Sequence, residues 1–254
     1  MEIDKMTDID HNLFPPKQFQ IMNYSEHSFV AIGINHLNFF VQELGLKPSA
    51  NILEIGSGNG RIARPLTGYL KEGSYVGVDI MKPFIKWCQD AYREYDRFTF
   101  KHINIYNKFY NKFTFKKARN FRFPFENEKF DFIYLTSVFT HMHQEDVDNY
   151  LSEVNRMLKK GGVIFSTYFL INQETKNLMI QGKSTRKFLP YSENTYTDNP
   201  KNPESAIAFE QSFIESLHSK HKLDIQTISL GKWRSPKSLK NLIYNQDRII
   251  AMKR

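Results

Sequence analysis

The chain has 254 residues, 41% of them hydrophobic, a formal net charge of +8 and a single cysteine, Cys88. This is enough apolar material for one sizeable core, and one cysteine excludes an intrachain disulfide or a cysteine-based zinc cluster. No apolar run reaches the ~18 residues of a membrane-spanning helix, and the start, Met-Glu-Ile-Asp-Lys, has no signal-peptide apolar core, so no membrane insertion and a cytoplasmic location are expected. The charge suits an acidic partner such as nucleic acid, a membrane surface or a phosphorylated metabolite. Abundant Lys, Asn, Ile, Phe and Tyr also follow from an A+T-rich genome, so the charge alone decides nothing.

In chain order, the first twenty residues, with Pro15 and Pro16, lack periodicity and read as an arm able to fold over a ligand. The arm and the helix after it make up residues 1–46. Apolar residues from Phe29 to Leu46 recur at helical spacing and stop at Gly45. Ile52, Leu53 and Ile55 fit a buried parallel strand that ends in alternating glycines, Gly56, Gly58 and Gly60. Helix is expected from Ile62 to Leu70, strand from Ser74 to Asp79, helix from Lys82 to Tyr95 and strand from Phe98 to Ile103. Alternation of this kind implies a parallel sheet.

Residues 104–125 break the pattern. They hold no acid, and Lys108, Lys112, Lys116, Lys117, Arg119 and Arg122 alternate with aromatic residues. Such a run either stacks nucleic-acid bases or packs its rings on the sheet with its lysines in water. A fourth strand is expected at Lys129 to Leu135 and an amphipathic helix at Asp146 to Leu158. A turn at Gly161-Gly162 then leads to a fifth strand, Val163 to Phe169. Residues 172–203 are polar and aperiodic, as lids and substrate-binding loops are. Helix is expected at Ser205 to His218, then strands at Leu223 to Leu230 and Arg248 to Met252. The whole, 1–254, reads as one domain.

The glycine turn discriminates between ligands. A dinucleotide fingerprint places its third glycine five residues after the first, where this chain has Arg61. Glu54 instead precedes Gly-x-Gly-x-Gly, and Asp79 ends the next apolar run. The pattern Leu-Glu-Ile-Gly-Ser-Gly-Asn-Gly-Arg resembles the class I S-adenosylmethionine (SAM)-dependent methyltransferases. So do Gly-Val-Asp, Phe-Asp-Phe-Ile-Tyr-Leu-Thr-Ser-Val-Phe-Thr-His-Met and Glu-Val-Asn-Arg-Met-Leu-Lys-Lys-Gly-Gly, in that order. The resemblance covers roughly Ile32 to Phe169. It implies an α/β, doubly wound Rossmann-like sheet, mostly parallel with an antiparallel last strand and helices on both faces. It also implies SAM as cofactor and S-adenosylhomocysteine as product.

On that resemblance, Gly56, Ser57 and Gly58 admit the cofactor's amino-acid part, and Glu54 organises the site near its ammonium. Asp79 is placed for both ribose hydroxyls, and Ile80 flanks the adenine. Asn104 stands where the family often has an acid that bonds the adenine amino group, with Ile105 contributing backbone. Thr136 and Ser137 line the way to the methyl. An alcohol acceptor benefits from a base; His141 is the candidate, and His143 lies beside the substrate. No further ligand accompanies these two histidines, so no metal is expected. Asn-Pro-Glu-Ser-Ala (202–206), Gly-Lys-Trp-Arg (231–234) and Asn-Gln-Asp-Arg (245–248) resemble a bacterial small-molecule branch found in surface-polysaccharide or secondary-metabolite pathways. This suggests O-methylation of a sugar or a phosphorylated capsule polysaccharide precursor. Arg61, Arg122, Lys183, Arg186 and Arg234 would meet its charge, and Tyr191, Tyr196 and Trp233 its apolar wall. An RNA methyltransferase and a catalytically silent SAM-fold binding subunit are the alternatives.

Overall fold

A computed structural model describes residues 13–20, 25–235 and 244–254. The first part of the expected arm, residues 1–12, and residues 21–24 lie outside the described residues. The chain divides into two compact units, residues 1–103 with 130–132 and residues 104–129 with 133–254.

The first unit opens on a short 3-10 turn, Lys17–Phe19, and helix α1, Glu26–Gln42. Ser25 caps α1 by accepting the Ser28 N–H at 3.2 Å, and the chain leaves through Gly45 at φ 65°. Strand β1, Asn51–Ile55, pairs in parallel with β2, Ser74–Asp79, placing Glu54 opposite Gly77. β2 pairs in parallel with β3, Phe98–His102, placing Asp79 opposite His102. Helices α2, Ala63–Tyr69, and α3, Lys82–Ala91, connect them. The interior is apolar on both sides of β1 and β2, as a buried parallel sheet requires.

Strand β4, Phe130–Leu135, contributes to both units. Beyond it come α4, Gln144–Met157, and β5, Leu158–Tyr168. β5 begins before the glycine pair, because Gly161, at φ 73°, bends the strand without ending it. β10, Leu223–Ser229, and β11, Asp247–Lys253, close the sheet, β11 lying antiparallel between β5 and β10. The seven-stranded order is β10-β11-β5-β4-β1-β2-β3.

The segment 172–203 is more ordered than an aperiodic lid. It carries α5, Gln173–Ile180, capped by Asn172, and the strands β7, Leu189–Ser192, and β8, Thr195–Thr197. With β6, Leu170–Ile171, and β9, Ile207–Glu210, these strands form a second sheet ordered β6-β9-β8-β7. The helix expected from Ser205 starts only at Gln211, as α6, Gln211–Lys220. Ile207, Ala208 and Phe209 are buried and pair with β8, and Phe209 pairs with β6 as well, so tertiary pairing overrides local helical spacing there.

Candidate active site

In the first unit the sheet ends in a turn whose geometry is fixed by backbone. Gly56, Gly58 and Gly60 have φ of 85°, 51° and 78°, a region that only glycine enters freely. Gly56 and Ser57 donate to the Val78 carbonyl at 2.8 and 3.0 Å, tying the turn to β2. Gly77 makes that approach possible: a Cβ there would lie 2.9 Å from the Ser57 Cβ and 2.8 Å from the Tyr75 hydroxyl. Tyr75 donates that hydroxyl to Glu54 at 2.5 Å, and Tyr92 donates its own to the Gly60 carbonyl at 3.0 Å.

Asp79 closes the arrangement. One carboxylate oxygen accepts the Gly58 N–H at 2.8 Å and the other the Met81 N–H at 2.7 Å, with the Ile80 N–H also directed at the carboxylate. Burial raises its pKa, opposed by those N–H groups and by the charge of His102. Burial also pushes the Cys88 thiol up, with Glu54 and Asp79 adding to the effect, so Cys88 stays a thiol. Ile80 is half-buried, and its carbonyl accepts from His102 at 3.1 Å. Asn59 donates to the Phe19 carbonyl at 3.1 Å, so the described end of the arm reaches the glycine turn.

In the second unit, a cluster forms from segments far apart in sequence. His141 places Nδ1 2.8 Å from the Glu204 carbonyl, which can only accept. Nδ1 therefore carries the proton and Nε2 the lone pair; Nε2 faces the Tyr110 hydroxyl at 3.5 Å. Burial lowers the His141 pKa, with the Glu204 carbonyl opposing and the charge of Arg186 helping. His143 differs. Its Nε2 is 3.4 Å from the Glu204 carboxylate, which raises its pKa. The Glu204 carboxylate also accepts the Lys108 N–H, and the Asn107 side chain donates to the His141 carbonyl at 3.1 Å. Tyr191 brings its ring to 6.0 Å from that of His143. A cleft of about 620 Å³ is lined by Thr185, Arg186, Lys187, Asp198 and Asn245.

At the end of β4, Thr136 is half-buried, and Ser137 takes φ 57°, unusual for a residue with a side chain. Its N–H donates to Thr167 at 2.8 Å and its hydroxyl to Gln246 at 3.0 Å.

A family model described as a methyltransferase domain matches residues 53–166. Those residues are thus similar to a methyltransferase domain. Among curated proteins it is 26% identical over 147 residues to a sterol 24-C-methyltransferase of Schizosaccharomyces pombe, covering 57% of this chain and 34% of that protein. The chain thus spans about a third of the length of that relative. A SAM-dependent methyltransferase of Methanosarcina mazei has a solved structure that matches with TM-score 0.56 at 22% identity, over 84% of this chain and 96% of the other. The structure of a magnesium protoporphyrin IX methyltransferase from Synechocystis, with bound S-adenosylhomocysteine, matches with TM-score 0.57 at 13% identity, over 93% and 91%. The SAM-dependent methyltransferase fold expected from the sequence is the one observed.

The first-unit residues fit SAM on their own geometry. Ser57 is buried with its hydroxyl lacking a hydrogen-bond partner, beside glycines with no Cβ in the way and the carboxylate of Asp79. Other residues are placed differently from expectation. Asn104 has its side-chain oxygen on Asn111 at 3.1 Å, and the buried Ile105 has its carbonyl on the same amide at 3.0 Å. Trp233 and Arg234, expected at a substrate wall, are buried instead. Trp233 donates its indole N–H to Asp247 at 2.8 Å, and Arg234 is 3.0 Å from Asp247 and donates to the Leu170 carbonyl at 3.0 Å. Together they anchor β11 to the second sheet. Arg122 is exposed and lowers the pKa of Glu153, which docks the insertion on α4 by accepting the Phe123 N–H. Arg61 is half-buried just after Gly60. Tyr75, Gly77, Tyr110 and Glu204 were not among the expected site residues. Gly77 and Glu204 sit inside quoted motifs, whereas Tyr110 is one aromatic among many in its segment.

Proposed function

We propose that the protein transfers a methyl group from SAM to a hydroxyl of a small acceptor bearing negative charge, such as a sugar or a phosphorylated polysaccharide precursor. The observation that carries this reading is His141. Its proton is held on Nδ1 by the Glu204 carbonyl, so Nε2 is a ready acceptor beside a hydroxyl, that of Tyr110. SAM, when bound, supplies an electrophilic methyl on a sulfonium centre. Gly56, Ser57, Gly58 and Asp79 hold and orient it, and His141 Nε2 takes the proton that the acceptor oxygen gives up. Tyr110 keeps that nitrogen satisfied until an acceptor hydroxyl takes its place. His143, whose pKa Glu204 raises, and Arg186 favour an anionic acceptor.

Incubation with SAM and a panel of phosphorylated sugars, read by mass spectrometry, should show an acceptor gaining one methyl. His141→Ala should then lower kcat about 100-fold or more while leaving S-adenosylhomocysteine affinity within about twofold. Because burial depresses the His141 pKa, wild-type turnover should hold through neutral pH and fall only below the ordinary histidine value of about 6.5. Unchanged turnover in His141→Ala would remove the base from the mechanism.

A further inference from the structure

The insertion 104–125 has two halves with opposite behaviour. The second is docked: Asn149 donates to the carbonyls of Ala118 and Phe121 at 2.8 and 2.9 Å, and Phe123 packs edge-on against Tyr150 at 5.1 Å. The first half folds back on itself, with Asn107 paired to Asn111 and the Tyr106 N–H on the Lys116 carbonyl at 2.8 Å. It presents apolar rings to water. Phe113 is 96% exposed and Phe115 99% exposed, while Thr114 between them is buried. With Thr114 turned inward, both rings turn outward. Neither makes a ring contact among the described residues, and Phe109 at the turn is 52% exposed.

Within the segment the charges are all of one sign. The segment contains no acid. Lys117 lies 4.0 Å over the Tyr106 ring, Arg119 pairs with Asp146, and Lys108 donates to the Lys201 carbonyl. Lys112 and Lys116 are exposed and lie outside every ion pair among the described residues. Contiguous apolar side chains left in water mark an interaction surface. Uncompensated lysines flanking them call for an anionic partner.

We infer that residues 106–117 dock on an anionic lipid surface, with Phe113 and Phe115 in the boundary between headgroups and acyl chains and Lys112 and Lys116 among acidic headgroups. Single-stranded RNA fits less well. Base stacking uses rings laid on a supporting platform with one face offered, whereas these two rings stand free on nearly every side. A Phe ring, with no polar tip, suits the acyl boundary.

The test is co-sedimentation of the intact protein with phosphatidylcholine vesicles, with and without about one-third phosphatidylglycerol. Binding to the anionic vesicles should be at least about tenfold tighter and should weaken in high salt. Phe113→Ser with Phe115→Ser should lower that affinity about tenfold or more, and Lys112→Glu with Lys116→Glu should remove the preference for anionic lipid. Because all four side chains are exposed, Tm and S-adenosylhomocysteine binding should not change. Equal partitioning to both vesicle types, or undiminished binding of the Phe113→Ser/Phe115→Ser protein, would overturn the inference. So would binding of a mixed-sequence RNA oligonucleotide that these substitutions abolish while vesicles are ignored.

Discussion

Asp79 ties the glycine turn to the start of α3 by accepting the Gly58 and Met81 N–H groups, and on the proposed reading it also meets the cofactor. Asp79→Ala removes the ligand contacts and frees the glycine turn, so calorimetry with S-adenosylhomocysteine should show affinity reduced about 100-fold, the loss of two charge-assisted hydrogen bonds. His218 answers to pH. It is fully buried, donates to the Ile214 carbonyl at 3.0 Å and has its pKa lowered to about 4 by burial. The unfolded chain takes up that proton below about 6.5, so between those values the unfolded state binds more protons and stability falls as pH drops. The contribution lost is up to about 3 kcal/mol. Urea unfolding at pH 7.5 and 4.5 should therefore show a smaller acid loss in His218→Leu than in wild type; equal losses would assign the acid sensitivity elsewhere.

Helix α1 illustrates how an element and a turn constrain each other. Gly33 sits in mid-helix, where alanine ordinarily stabilises by about 1 kcal/mol. Here an added Cβ would lie 2.4 Å from the Arg61 backbone carbonyl, part of the segment that follows the glycine turn. Gly33→Ala should reverse the usual sign, lowering Tm and weakening S-adenosylhomocysteine binding together, since α1 must shift and push on the turn. A raised Tm would show that the helix can move without cost. The same contact explains why the turn was easier to read than its surroundings. Glycine φ values are a local property, written in residues 56–60, whereas the approach of Gly33 depends on a helix placed by tertiary packing.

Over the whole molecule, the strands from β1 to β5 follow the apolar runs, since a buried parallel strand needs a nearly continuous one. The second sheet was not legible, because β6 to β9 are two to four residues each and the buried strands β6 and β9 meet from distant parts of the chain, as Leu170 does with Phe209. The place of β11 between β5 and β10 is equally a matter of pairing. The candidate site divides the same way. The residues proposed to hold the methyl donor stand in motifs, while Tyr110, His141 and Glu204 meet from three segments with no shared period. The burial of Trp233 and Arg234 is likewise invisible in sequence: a polar head on a bulky side chain looks like a surface residue until its partner, Asp247, is in view.

Glu204 serves its two histidines through different atoms, the backbone carbonyl for His141 and the carboxylate for His143. Every amino acid keeps the carbonyl, so exchange of the Glu204 side chain would spare the His141 contact while removing the partner of His143 and of the Lys108 N–H. On the proposed mechanism, a lineage that exchanged Glu204 for a neutral residue would change the charge offered to the acceptor and keep His141 in the same tautomer. Acceptor preference would then diverge by single replacements in the 202–206 turn, with the methyl-transfer apparatus passed on unaltered.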